Sequence, residues 1–252
     1  MNTQNIPWKR ISVEAAAIVA SILLAFAIDA WWDERVERIE EREILESLQV
    51  EFLVNRDAAQ AVVQRHETGV QNIARFVSLT DEQVLELSAE EIEDYLLDFA
   101  SPYTFDPVRG TVDVLLSSGK LGILESPKLR EALTTFTNIV EDSVEDQQYM
   151  SAWALAVWEE SARVGGPYRK RLGNRSAEEC ADSPRSGACF VNEALDYLPA
   201  ATPEDLLRLR QDKILMSYVN RGKEVSIRYA SEVRRVQDQI EVVLELVEES
   251  LQ

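Results

Sequence analysis

Apolar residues in the first third of the chain follow two different rules. From Ala15 to Ile28 no residue is charged. From Leu45 onward, apolar positions recur at alternating steps of three and four, through Leu45, Leu48, Phe52, Asn55, Ala59, Val62, His66, Gly69, Ile73 and Phe76. The second pattern predicts one long helix with a packed seam. Between the two, DERVERIEEREILESL sets glutamates and arginines three and four residues apart, which carries a helix onward without a linker. Asn55 and His66 are polar positions within the seam. A single histidine on an apolar stripe reads as a hydrogen-bonded packing residue, and no second histidine exists to complete a metal site.

The remaining punctuation predicts helices throughout. Thr80 before DEQ, and Ser88 three residues before Glu91, are capping signals for one or two short helices ending near Ala100. SPYTFDP reads as a loop. Asp106-Pro107 then opens a helix to Ser118 that stops at Gly119, and Ser126-Pro127 opens a much longer one ending at Gly165-Gly166. Thr202-Pro203 opens a last helix to about Ser250, carrying Leu206, Leu209, Met216, Ile227, Ala230, Ile240, Leu244, Val247 and Leu251 over roughly 70 Å. If successive segments alternate in direction, the loop at 165–201 returns toward the start of the bundle. If 81–99 and 107–118 run the same way, that loop goes to the far tip instead.

The uncharged run has the dimensions of a membrane anchor. The window Ile11 to Trp32 would rise roughly 33 Å as a helix, close to the ~30 Å of bilayer hydrocarbon. Trp8 precedes it and Trp31 and Trp32 follow, where aromatic belts are expected. A cleaved signal peptide is the competing reading, from Lys9-Arg10 and the Ala25-Phe26-Ala27 triplet, but the helical pattern continues through that point and Glu14 interrupts the apolar region. Glu14, Ala17, Ser21, Ala25 and Asp29 fall within about 60° of one direction on the helix, a small and polar stripe. Small residues let helices approach closely, and a carboxyl within the hydrocarbon is tolerated when protonated or hydrogen-bonded. Such a stripe fits self-association, or a proton path through Glu14. The plainer alternative places Glu14 in the first helical turn, or snorkelling, in a helix that is simply rich in alanine.

Composition narrows the function classes. In 252 residues, 46% are hydrophobic, enough for a packed core, and 45 acidic against 26 basic residues give a net charge of −19, which repels nucleic acid. Cys180 and Cys189 enclose a turn-rich polar segment, as a disulfide clip formed in an oxidising compartment would. The alternative is two unrelated free thiols. If the clip is oxidised, the C-terminal part lies outside the cytoplasm, an orientation that the Lys and Arg flanking the anchor do not decide. Around the clip the charge sign reverses, with Arg163, Arg169, Lys170, Arg171, Arg175 and Arg185. These either neutralise helix ends and acidic faces, or form a patch for an anionic partner or headgroups.

No catalytic constellation is evident, so the chain reads as a non-enzyme without a cofactor or metal. SSGKLG lacks the first glycine and the hydroxyl of a phosphate loop, His66-Glu67 lacks a second histidine, and no serine sits in a nucleophile elbow. Clusters such as Glu141, Asp142, Glu145 and Asp146 read as a solvated helix face.

Two stretches, AIDAWWDERVERIEEREIL at 27–45 and RGTVDVLLSSGKLGILESPKLREAL at 109–133, together resemble an uncharacterised bacterial family of single-pass, membrane-anchored helical proteins, known only as a domain of unknown function. Its members pair a glutamate-led apolar run with a polar, Trp-containing exit like Asp29 to Asp33, and carry a Leu-x-Ser-Ser-Gly-x-Leu element like residues 115 to 121. The resemblance covers roughly the first half of the chain and implies an address and a fold, without an activity.

The expected architecture is therefore all-α. Residues 1–32 form a tail and transmembrane helix, and 33–252 an elongated antiparallel bundle with a cysteine-clipped loop at about 165–201. The expected function is that of a self-associating scaffold, interaction or sensory module of the bacterial inner membrane, with its N-terminus cytoplasmic, its bundle periplasmic, and the bilayer, a second copy and an envelope protein as partners. An ion-coupled subunit using Glu14 is the alternative, with a periplasmic enzyme or chaperone as the weaker one.

Overall fold

The structure, a computed structural model, describes residues 8–100, 102–165 and 201–252, with side chains at 8–16, 93, 97 and 100 outside the description. Among the described residues every regular element is helical. Helix α1, Trp8–Ser78, has 71 residues and so runs roughly 107 Å without a break. Its seam is the one the three-four spacing predicts. Leu45, Leu48, Phe52, Asn55, Ala59, His66, Ile73 and Phe76 are buried, and Val63 joins them beside the half-buried Val62.

Two short helices follow, α2 (Asp81–Leu85) and α3 (Ala89–Ala100). Thr80 makes the expected capping box with Gln83, and Ser88 exchanges hydrogen bonds with Glu91. The chain then travels back along α1, and its partners show the direction. Asp98 meets Asn72, Tyr103 meets His66, Val108 meets Asn55, Thr111 meets Glu51, and Lys120 meets Glu40. Helix α3, the irregular segment 102–109, helix α4 (Gly110–Ser117) and the 3-10 turn Lys120–Ile123 thus form one continuous descent. Gly119, at φ 71°, makes the turn that only glycine adopts readily, as the failed phosphate-loop reading implied.

This descent corrects two expectations. Asp106-Pro107 does not open a helix, and α4 begins at Gly110. The side chains of Asn55 and Glu51 hold the backbone of 108–111 in place, a tertiary demand that overrides the local signal. Segments 81–99 and 107–118 also do not reverse between them, so the parity of the bundle changes. Helix α5 (Pro127–Arg163), opened by Ser126 as expected, climbs past Phe52 at Phe136 and past Asp106 at Gln147. It ends at the tip far from the N-terminus, so the flanks of the 165–201 loop sit there rather than back at the start of the bundle.

The last helix is two. Asp212 interrupts it, its carboxylate accepting from the N–H groups of Ile214 and Leu215, which separates α6 (Pro203–Gln211) from α7 (Lys213–Leu251). Aspartate at an N-cap is a start signal that a continuous apolar pattern masks. Helix α7 descends between α1 and α5, burying Val219, Tyr229, Val233, Val236, Ile240, Val243 and Val247. Ile227, expected in this seam, is exposed. Gly222 permits a close approach of α5 and α7, because a Cβ there would lie 2.3 Å from a ring carbon of Trp153.

Below the bundle α1 stands alone. Every described residue from Ala17 to Ile39 is exposed, including Phe26 at 66% and Trp31 and Trp32 at 59%. Among the described residues no helix is long and apolar enough to cross a membrane. Counted from Ala17, twelve uncharged residues are followed by Asp29, Asp33 and Glu34. The expected span at 11–32 is corrected accordingly: α1 runs through it, but the uncharged run between Glu14 and Asp29 is too short to be a span by itself.

Candidate functional site

The predicted sites divide into three groups. On the protruding part of α1, Ala17, Ser21, Ala25 and Asp29 are all exposed, and the Ser21 hydroxyl donates to the Ala17 carbonyl at 2.6 Å, within its own helix. Trp31 and Trp32 stand side by side with ring centroids 6.4 Å apart. Trp8 and Glu14 lie on α1, but their side chains fall outside the description. Cys180 and Cys189, with Arg169, Lys170, Arg171, Arg175 and Arg185, lie outside the described residues altogether.

Arg163 is the described member of the basic cluster, and its guanidinium is engaged. It donates to Glu160 at 2.6 Å and to Asp212 at 2.7 Å, closing the end of α5 onto the start of α7. Those bonds, Glu160 first, raise its already high pKa. The Asp212 carboxyl is lowered mainly by the Leu215 N–H, with Arg163 adding to the effect.

The polar chemistry of the bundle lies elsewhere, in a ladder of α1 side chains that grip the backbone of the descending segment. Glu41 accepts from the Glu125 N–H with one oxygen and from Arg38 with the other, each at 2.5 Å. Glu51 accepts from the Thr111 N–H at 2.7 Å. The Asn55 amide bridges both groups of Val108, donating to its carbonyl and accepting from its N–H at 2.7 Å each. His66 Nε2 donates to the Tyr103 carbonyl at 2.8 Å, and its ring packs edge-on to Tyr229. The Tyr229 hydroxyl in turn accepts from the Phe105 N–H.

Burial shifts the titration of His66 and Tyr229. Desolvation is the main reason the His66 pKa is lowered; Arg65 lowers it further and the Tyr103 hydrogen bond opposes both. Desolvation likewise raises the Tyr229 phenol. The imidazole is therefore held neutral, with its Nε2 proton committed to the Tyr103 carbonyl, an arrangement that fixes the loop. Asn55 and His66 were legible as polar seam positions. Glu41 and Glu51 were not: Glu41, three positions from Arg38, looks like solvated charge, and Glu51 carries no local sign of the Thr111 N–H it meets sixty residues on.

The ladder joins the two stretches that carry the family resemblance. Residues 27–45 and 109–133 meet through Arg38 and Glu41 at Glu125 and through Glu40 at Lys120, the last ion pair 2.7 Å long. Beside that junction lies a groove of about 650 Å³ lined by Glu43, Glu46, Ser47, Val50, Glu51, Val54, Val108 and Thr111. Among the described residues no group of three or more histidines, cysteines or carboxylates is placed to hold a metal. The chain matches no protein-family model, no curated protein and no solved structure.

Proposed function

We propose that the protein is a single-pass, membrane-anchored helical module of the bacterial inner membrane, self-associating through its anchor and presenting a periplasmic bundle to envelope partners. It would belong to the uncharacterised family that its two motifs resemble. One observation carries this reading: an unbroken helix leaves the bundle with large apolar side chains exposed on all sides. In water such a surface is unfavourable by about 25 cal/mol for each Å². Lipid, or a second copy of the same helix, would relieve it. In the sequence, the uncharged residues Ala15 and Ala16 and the apolar Ile11 and Val13 extend the segment toward a full span. The Trp31–Trp32 pair and the acidic exit after it suit the headgroup region.

The bundle favours a binding or scaffolding role over a catalytic one, because Glu41, Asn55 and His66 are committed to holding the backbone of the descending segment. The experiment compares the full chain with a variant lacking residues 11–28 in membrane fractions washed with alkaline carbonate. The full chain is expected in the pellet and the deletion variant in the supernatant. Release of the full chain by carbonate would overturn the anchor. A reporter after Gln252, active only outside the cytoplasm, tests the orientation.

A further inference from the structure

The groove beside α4 contains a carboxylate whose bonding is incomplete. Glu51 is 7% exposed, and while one of its oxygens accepts from Thr111, the other is shielded from water and has no donor. A buried acceptor left in that state destabilises the fold until something donates to it. Two further carboxylates line the same groove. Glu43 has no ion pair among the described residues, and Glu46 has only an exposed, solvent-screened pair with Arg42. The floor is apolar, with Val50 64% exposed, Val108 37% exposed and Val54 half-buried. A surface that combines an uncovered valine floor with three carboxylates, one of them buried and short of a donor, is complementary to a cation carried on an apolar body.

We propose that this groove docks a short basic segment of a second protein, in which an arginine or lysine flanked by apolar residues reaches Glu51 between Glu43 and Glu46 while its neighbours cover Val50, Val54 and Val108. The acidic charge selects the partner. A second copy offering the same face would bring like carboxylates together, and the absence of a metal-holding cluster among the described residues leaves an organic cation as the fitting ligand. The groove follows α1 from Glu43 to Val54, about three helical turns, long enough for a helix to lie along it. A guanidinium would also match a carboxylate with one oxygen already engaged, because its fork offers several donors in a plane. The net charge of −19 would steer such a partner inward from a distance. The site stands independently of the anchor, because every residue it uses belongs to the bundle or its loop.

The test measures anisotropy of a labelled amphipathic peptide, arginines and leucines on one face, titrated with the full chain in detergent micelles. The same peptide with citrulline for arginine is the uncharged control. The expected result is saturable binding of the arginine peptide alone, weakened about tenfold or more by Glu51→Gln and by Val50→Ser. Glutamine retains the acceptor for Thr111 but replaces the incomplete oxygen with a donor, so it repels the cation while sparing the fold. Val50→Ser alters an exposed side chain and decides the matter should Glu51→Gln unfold the chain. Glu159→Gln, an exposed acid on the distal part of α5, should leave the affinity unchanged. Equal binding of the citrulline peptide, an equal loss in Glu159→Gln, or unchanged affinity in both groove variants would each overturn the site.

Discussion

The two halves of α1 are built from similar amounts of apolar side chain and behave in opposite ways. From Leu45 to Phe76 most large apolar residues fall on one stripe, which is covered by α3, α4, α5 and α7, while Val50 and Leu53 lie outside it. From Ala17 to Ile39 they fall around the whole circumference, and nothing in the described chain covers them. A stripe specifies a neighbour with a complementary stripe, whereas a helix apolar on every side specifies a medium. One continuous helix can therefore serve as the spine of a folded domain and as an attachment to something outside it. Backbone continuity between the halves would transmit position, so the bundle's height and tilt would follow whatever covers the lower half.

The sharpest way to break this comparison is to make one substitution in each half. Phe52 packs on Phe136 with centroids 4.8 Å apart and is fully buried, so Phe52→Ala should cost about 3–5 kcal/mol, read by chemical denaturation. Phe26→Ala, at 66% exposure, should leave bundle stability unchanged within error. A matching loss from Phe26→Ala would mean that the lower half packs against the bundle.

A smaller effect separates the gripping ladder from the hydrophobic seam. Asn55→Ala leaves the N–H and carbonyl of Val108 without partners, at about 1–3 kcal/mol for each group, and should loosen 102–111 before the rest. Hydrogen exchange should show faster exchange at Val108 and Thr111, with the α5–α7 interface still protected. Gly222→Ala acts on the opposite side of the bundle. It forces Trp153 to move and should cost about 1–3 kcal/mol without affecting the descending segment.

The smallest effect is on pH. His66 has its pKa lowered below the ordinary 6.5 in the folded chain, so the unfolded chain binds the proton more readily. The stability it contributes is complete above about pH 6.5 and is lost as the pH falls from there toward the folded value. His66→Gln, which can still donate to the Tyr103 carbonyl, should flatten this part of the stability profile. An unchanged acid slope would assign it to other groups.

Much of this architecture was legible because it is local or periodic. The seam from Leu45 to Phe76, the caps at Thr80, Ser126 and Thr202, and the stop at Gly119 all depend on residues within a few positions of one another. What escaped was long-range. Nothing near Pro107 announces that Asn55, more than fifty residues earlier, will bond both backbone groups of Val108. That one contact shifts the start of α4 and, with Glu51 and His66, keeps the chain descending, which sets the parity of everything after it. Asp212 was hidden for the opposite reason: its capping signal is local, but the apolar pattern runs through it uninterrupted. Of the candidate sites, the seam polar residues could be read, whereas the groove depends on Glu51 and Val108 meeting across the fold.

In the proposed membrane-anchored arrangement α1 passes from lipid to water between Trp32 and Leu45, a passage that spin-label accessibility along the helix would reveal. With the full chain reconstituted in vesicles, labels placed singly from Ile18 to Ile28 should collide with oxygen dissolved in lipid and be protected from a water-soluble nickel complex at every position. Labels from Leu45 to Phe76 should instead show accessibility to the nickel complex with a period of about 3.6 residues. The same 3.6-residue exposure to the aqueous reagent in the lower half would contradict the account, because α1 would then be a helix in water along its whole length.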